Sequence, residues 1–276
     1  MSSKLPSLHV KALCSRRAGK DESGRNFERD SHEAVQISEL GMVGSEDWAL
    51  RNQDTLGEEN VRARALLLQL EAHNDAVLAM DEGRLRHPLP LSIAAGAWGE
   101  NVLLKGTDSE GRPLDAAAIC IGDILEATRG SLRLEVTCPR RPCCKVDQQF
   151  GQTWRGAGVR AHTARNGMAG FFCRVLKPGR LAAGDELQVV QRRRPEWSLR
   201  RVSDVVYGRT SGRTSVADEA SYSIRCLATI ENSEEMDLRL ALLRELVQVK
   251  ELADFEWRDK IREMLQLHES RRCLLQ

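Results

Sequence analysis

The chain has 276 residues, with 41 basic against 40 acidic side chains and a formal net charge of +1. A balance this close excludes a global field for nucleic acid or an anionic membrane, so any anion site has to be local. Aromatic residues at 4% exclude a base-stacking platform, and the length allows one large core or a core with an appendage.

In chain order, Leu8 to Leu13 is expected as a short first strand, and the polar stretch Ser15 to His32 as a mobile loop. Glu33 to Leu40 alternates as a strand does, and Gly41 and Gly44 mark a turn. Trp48 to Asn60 is polar and reads as irregular. From Val61 to Leu78 the period changes. Ala63, Leu66, Leu67, Leu70, His73, Asn74 and Val77 recur at three and four, which predicts one amphipathic helix. Gly83 ends it, and Pro88 and Pro90 keep the chain extended. Gly96 and Gly99 allow tight turns before a short strand at Val102 to Leu104, with Asn101 placed between turn and strand.

Ala116 to Ala127 reads as a strand, a Gly122-Asp123 turn and a second strand. Next comes LRLEVTCPRRPCCKVDQQF, residues 132–150. Leu132, Leu134 and Val136 share one face of a strand and Arg133, Glu135 and Thr137 the other. Pro139 and Pro142 end that strand near Cys138. Arg140, Arg141, the thiols Cys143 and Cys144, and Lys145 follow at once. Cations so placed favour the thiolate form of a neighbouring thiol. Phe171, Cys173 and Val175 alternate, Lys177-Pro178-Gly179 and Ala183-Gly184-Asp185 turn, and Glu186 to Gln191 makes a last strand. That rhythm is the rhythm of a compact β-barrel or sandwich.

Ser203 to Tyr222 shows no clear period and contains a Gly/Ser/Thr/Arg loop at Gly208 to Ser215. Glu234 to His268 has no Gly or Pro and predicts helix, with Met236, Leu240, Leu243, Val247, Leu252, Phe255, Ile261 and Leu265 on its apolar face. The expected organisation is a flexible 1–32 with a possible strand, a β-rich domain over 33–195, and a helical appendage over 196–276. Eight cysteines show no disulfide rhythm, and Met1 to Gly24 lacks a secretory apolar run, so reduced thiols in the cytoplasm are expected. Cys120, Cys138 and Cys173 read as small core residues, and His73 and His162 as structural or solvent-facing. No stretch approaches a membrane span, and Cys143-Cys144 lacks the second pair of a zinc site.

Three runs together resemble the MOSC domain, named for the C-terminal domain of molybdenum cofactor sulfurase, and within it the stand-alone bacterial type that reduces N-hydroxylated bases. GAWGENVLLKG (96–106) is similar to the family's Gly-x-x-Gly-Glu-Asn element. CIGDILEATRGSLRLEVTCPRRPCCKVDQQF (120–150) resembles its Gly-Asp, strand, Pro-Arg-x-Pro-Cys-x-Lys element, and GMAGFFCRVLKPGRLAAGDELQVVQR (167–192) resembles its third. The resemblance is strongest over about residues 90–195. It implies a mainly β fold, a MOSC-type compact β-barrel core with flanking helices and a small α-helical C-terminal appendage.

It also implies a molybdenum–pyranopterin cofactor whose metal is ligated by Cys143, the catalytic position. Arg140, Arg141, Lys145 and Arg174 would take the cofactor's anion, and Glu100 and Asn101 would line its pterin or substrate face. The implied activity is reduction of N-hydroxylated compounds by oxygen abstraction at molybdenum, with a separate electron-donor reductase, because no dinucleotide fingerprint or iron–sulfur pattern is present. The family's Lys/Arg-His-Gly-Gly-like run has no counterpart in LRNQDTLGEENVRARALLL, where Arg62 and Arg64 are the available cations. Two other readings use the same residues: a non-catalytic cofactor carrier, and a metal-free thiol or persulfide protein acting through Cys143 and Cys144.

Overall fold

Leu8, Val10 and Leu13 alternate with exposed His9 and Lys11, which makes Ser7–Arg16 a strand with one buried face, β1. The computed structural model describes residues 5–16, 29–80, 89–108, 110–150, 158–207 and 233–274. In chain order the remaining strands are β2 (Arg29–His32), β3 (Ala34–Ser38), β4 (Gly41–Met42), β5 (Leu66–Leu70), β6 (Val102–Thr107), β7 (Ile124–Ala127), β8 (Arg133–Pro139), β9 (Phe171–Lys177), β10 (Gly179–Ala182) and β11 (Glu186–Gln191). The helices are α1 (Asp47–Leu56), α2 (Glu58–Arg62), α3 (Glu71–Leu78), α4 (Cys144–Gln149), α5 (Val159–Arg165), α6 (Leu199–Tyr207), α7 (Ser233–Leu246) and α8 (Asp259–Leu274).

The large sheet runs β11-β7-β8-β9-β5-β6-β1-β2, and β1 also pairs with β11, so seven of its strands close into a ring. Closure removes the free edges that an open sheet would present. The β5–β6 pair is parallel and the others are antiparallel. A small sheet, β10-β3-β4, lies beside the barrel. One apolar core joins Leu8 of β1, Leu68 of β5 and Leu134 of β8 to Leu243 of α7, to Ile261 of α8 and to Trp257 just ahead of α8.

Several sequence expectations are corrected. Val61 to Leu78 is not one helix but the end of α2, the strand β5, and α3. All five residues of β5 are buried, so Leu66-Leu67-Leu68 matches helical and strand periods equally well. Trp48 to Asn60 is helical, as α1 and most of α2; buried Ala49 gives α1 too thin an apolar stripe to show a period. Arg29–His32 is a strand rather than loop, pairing Arg29 with Arg16 of β1, while residues 17–28 lie outside the described residues. Residues 81–88, with Gly83 and Pro88, and residues 208–232, with the Gly208 to Ser215 loop, lie outside them too.

Ahead of β7 there is a turn and a single bridge from Cys120 to Ser198, not a strand. Asp115 Oδ1 accepts from Ala117 N at 2.8 Å and Asp123 Oδ2 from Cys120 N at 2.9 Å. Such local side-chain bonds compete with ladder pairing. The long C-terminal helix is broken between Leu246 and Asp259 without Gly or Pro. Val247, Val249, Leu252 and Ala253 are all buried there, and Ala253 N donates to Thr137 O of β8 at 3.2 Å. Tertiary packing thus overrides helix propensity. Glu135 and Thr137 of β8 are buried rather than solvent-facing, Glu135 paired with Arg193 at 2.7 Å and the Thr137 hydroxyl donating to Phe172 O at 3.1 Å.

Candidate functional site

Where β8 ends, Pro139 releases the chain into a loop that two anchors hold. Arg140 N donates to Gly170 O at 2.8 Å, just ahead of β9. Gly170 has φ +94°, and a Cβ there would meet Leu68 O of β5 at 2.7 Å, so only glycine allows this approach. The second anchor is a small apolar cluster of Val77, Trp98, Val146, Phe150 and Val159, in which the Trp98 and Phe150 rings lie 4.7 Å apart. Trp98 is therefore a core residue, its indole N–H donating to Asn74 Oδ1 at 2.7 Å. Val146 and Phe150 fix α4, and Cys143 sits at its N-cap position with extended backbone (φ −90°, ψ 175°) and an exposed side chain.

Cys143 opens on a cavity of about 330 Å³. Arg140, Arg141, Lys145 and Asn101 line it, as do Arg16, Arg29 and Arg64. Trp48 and Phe172 supply apolar wall, and Glu46 and Glu256 are its carboxylates. Six cations against two carboxylates give the cavity a net positive lining inside a nearly neutral protein. Cys14, Cys120, Cys138 and Cys173 are buried, and burial pushes the thiol of Cys138 up to about 12 and those of Cys14 and Cys120 up to about 11. Cys143 and Cys144 are exposed.

The turn at Gly96–Gly99 builds the floor. Glu100 is buried beneath it, accepting from Gly96 N at 2.7 Å and Trp98 N at 3.0 Å, and does not line the cavity. Burial raises its pKa, while those N–H groups and the charge of Arg140 act against the rise. Asn101 accepts from Leu67 N at 2.9 Å through Oδ1 and donates its own N–H to Leu67 O at 2.7 Å, clipping the turn to β5.

The Arg140 guanidinium donates to Trp98 O, and burial pushes its pKa down to about 10, with Cys143 and Glu100 opposing. It remains a cation at neutral pH. Arg29 donates to Gly99 O; burial, then repulsion from Arg16, lower its pKa while Glu100 opposes. Gly96 permits this approach, since a Cβ there would lie 2.8 Å from Arg29 Cβ.

The structure brings Cys143, Arg140, Arg141, Lys145 and Asn101 together at one cavity. Arg174 is elsewhere, paired with Glu59 of α2 and, at 3.5 Å, with Glu135 of β8. Of the two cations near the family's missing element, Arg64 lines the cavity, whereas Arg62 ion-pairs with Glu39 and Glu58 on the surface. Sequence reasoning missed Arg16 and Arg29. They are paired neighbours of the β1–β2 hairpin, and Arg-Asp-Ser-His carries no apolar alternation to announce a strand.

Among the described residues no helix is long and apolar enough to cross a membrane, and no three His, Cys, Asp or Glu side chains converge as a metal cage. In comparisons with known proteins, a reductase from Gibberella moniliformis is 35% identical over 131 residues, 48% of this chain and 21% of that protein. The uncharacterized protein YflK from Bacillus subtilis is 33% identical over 103 residues, 37% of this chain and 40% of that one. The chain thus matches well under half the length of either relative.

Among solved structures, YiiM from Geobacillus stearothermophilus superposes with a TM-score of 0.59 at 19% identity, covering 94% of this chain and 99% of its own. YiiM from Escherichia coli gives 0.55 at 16% identity, with 94% of each chain covered. Both share the fold of the barrel and its flanking helices. The MOSC domain family matches residues 58–188, the stretch that carries β5 to β10, the Gly96–Gly99 turn and the Cys143 loop. Over that stretch, just under half of its length, the chain matches the MOSC domain.

Proposed function

We propose that the cavity holds a molybdenum–pyranopterin cofactor, that the sulfur of Cys143 is the protein's ligand to the metal, and that the chain is a reductase of N-hydroxylated compounds. The observation that carries this reading is the exposed thiol of Cys143 sharing one cavity with six cationic side chains. The donor set fits. A lone thiolate suits a metal that already carries most of its own soft ligands, and a cationic lining suits a cofactor that carries phosphate. Bound there, the cofactor would supply the redox chemistry that removes oxygen from an N–O bond.

The chain's own residues have separable tasks in this account. Arg140, Arg141 and Lys145 flank Cys143 and would hold the anionic group, with arginine able to engage it through two parallel N–H bonds. Arg16 and Arg29 face them from the β1–β2 hairpin. Glu100 serves as the counter-charge beneath Arg29 and Arg140 rather than as a ligand contact. Asn101 fixes the floor by bonding both backbone groups of Leu67. Trp48 and Phe172 supply apolar wall that limits water in the cavity. A separate reductase would deliver electrons, and four buried free cysteines suit a reducing cytoplasm.

The test is turnover. Protein from a cofactor-proficient host, supplied with a chemical electron donor, is expected to reduce an N-hydroxylated base, and Cys143→Ser to lose that activity while Cys144→Ser keeps it. Bound molybdenum without turnover would make the chain a carrier instead. Turnover that survives without molybdenum and needs both thiols would make it a thiol protein.

A further inference from the structure

The segment between α7 and α8 puts a carboxylate among the cavity's cations. Glu256 has φ +69°, a conformation L side chains rarely adopt, and among the described residues it is the one non-glycine residue with a positive φ. Its neighbours hold it there: Ala253 N donates to Thr137 O at 3.2 Å and Phe255 N to Asn60 Oδ1 at 3.0 Å. Strain of this kind persists where the surroundings over-determine it, and it gathers at ligand clamps. Glu256 Oε2 lies 3.1 Å from Nη1 of Arg64, and both side chains line the cavity. The Arg64 guanidinium is itself fixed, 4.4 Å from the centre of the Phe172 ring, 5.1 Å from Trp48 and 5.3 Å from Phe255.

A carboxylate in this lining works against anion binding, because it cancels part of the field that the six cations make. What it adds is an acceptor. The cavity's other carboxylate, Glu46, already accepts on both oxygens, from the Ser38 hydroxyl at 3.3 Å and from Gly44 N at 2.6 Å. Glu256 meets Arg64 through Oε2, which leaves Oε1 for a ligand, while the guanidinium carries further N–H donors beyond Nη1. Donor and acceptor thus stand side by side on a rigid support, and neither has to be displaced.

We propose that the Arg64–Glu256 couple is a specificity-determining subsite that reads an amide-type edge: a neutral ligand group with an N–H donor next to an acceptor atom. Arg64 donates to the ligand's acceptor, and Glu256 Oε1 accepts from its N–H. In the reductase reading, on which the substrate assignment rests, that edge sits beside the N–O group, and compounds without the N–H are the poorer substrates. The segment that supplies Glu256 lies outside residues 58–188, the MOSC match, so selectivity is set from outside the stretch that carries Cys143.

The test needs neither molybdenum nor turnover. Calorimetric titration of the full chain at pH 8 with benzamide and with acetophenone compares two neutral ligands of one shape, of which only benzamide has N–H donors. Wild type is expected to bind benzamide roughly tenfold more tightly, as a hydrogen bond to a charged acceptor allows. Glu256→Gly, which suits the left-handed backbone, should erase that preference, and Glu256→Gln, which keeps a neutral acceptor, should cut it to about threefold. Inorganic phosphate is the opposite probe: both variants should bind it about twofold more tightly, because a negative charge has left the lining. Opposite signs for benzamide and phosphate are the signature of a carboxylate that faces the ligand. Weaker binding of both in the variants would mean that Glu256 merely holds Arg64 in place, and would overturn the proposal. Equal affinity of wild type for benzamide and acetophenone, or a preference that survives Glu256→Gly, would overturn it as well. Either result beside intact turnover of an N-hydroxylated compound leaves the reductase reading standing, whereas the expected pattern in a chain that never acquires molybdenum keeps the subsite and removes the cofactor reading.

Discussion

Arg192, Arg193 and Arg194 leave the end of β11 and run straight into three carboxylates. Arg192 grips Asp123 with two bonds of 2.9 and 2.7 Å, Arg193 meets Glu135 at 2.7 Å, and Arg194 meets Glu251 at 3.0 Å. Arg140, Arg141 and Lys145 leave β8 in much the same sequence pattern, yet they line a cavity, and among the described residues no ion pair takes up Arg141 or Lys145. The first run fastens the chain leading to α6, and the segment after α7, onto the outside of the barrel. In the second, Arg141 and Lys145 stay available to a ligand. The difference lies in where the fold brings its carboxylates, because a run of arginines has the same local chemistry in both places.

That comparison breaks most sharply at Asp123, which is fully buried. Asp123→Ala strands Arg192 beside the barrel, so urea unfolding is expected to show a loss of about 3–5 kcal/mol. His73 shows what burial does to a group with no carboxylate on it. It is fully buried, and Nδ1 bonds Gln69 Oε1 at 3.1 Å. Burial lowers its pKa from 6.5 to about 4, with Asp115 and a backbone hydrogen bond at Met168 opposing. As pH falls below 6.5 the unfolded chain takes up this proton before the folded one does. Stability from this group is therefore complete above pH 6.5 and is lost progressively down to about pH 4. The total is about 3 kcal/mol. Unfolding curves across that range should show the slope, and His73→Leu should flatten it.

A smaller effect is expected at the loop's anchor. Gly170→Ala combines a left-handed φ with a Cβ pressed against Leu68 O, and a loss of about 2 kcal/mol is expected in the same unfolding assay. Least costly to the fold is the double change Arg141→Met with Lys145→Met. Stability should move by less than about 0.5 kcal/mol, while phosphate affinity falls roughly tenfold. Equal stability losses from this pair and from Asp123→Ala would erase the distinction between the two basic runs.

The sequence makes the later strands legible because turns punctuate them: the Pro178-Gly179 and Gly184-Asp185 steps bracket β9, β10 and β11. Pro139 and Pro142 likewise expose the end of β8 and the Cys143 loop. β5 is hidden because both its faces are buried, leaving a run of leucines without strand alternation. The break between Leu246 and Asp259 is hidden because tertiary packing, with Ala253 bonded to Thr137 and Phe255 to Asn60, and not Gly or Pro, interrupts the helix. At the site, residue chemistry alone yields a thiol among cations. The resemblance to MOSC domains is what singles out Cys143 and suggests a cofactor. Arg16 and Arg29 become visible only when the β1–β2 register sets them side by side, and Glu100 changes from lining residue to buried counter-charge only when its two N–H partners are seen.

The sharpest check on the central claim is elemental analysis of the purified chain beside its Cys143→Ser variant, both expressed where molybdenum cofactor is made. Molybdenum is predicted to copurify with wild type and with Cys144→Ser and to fall away in Cys143→Ser. Equal molybdenum in wild type and Cys143→Ser would contradict the assignment of that sulfur to the metal.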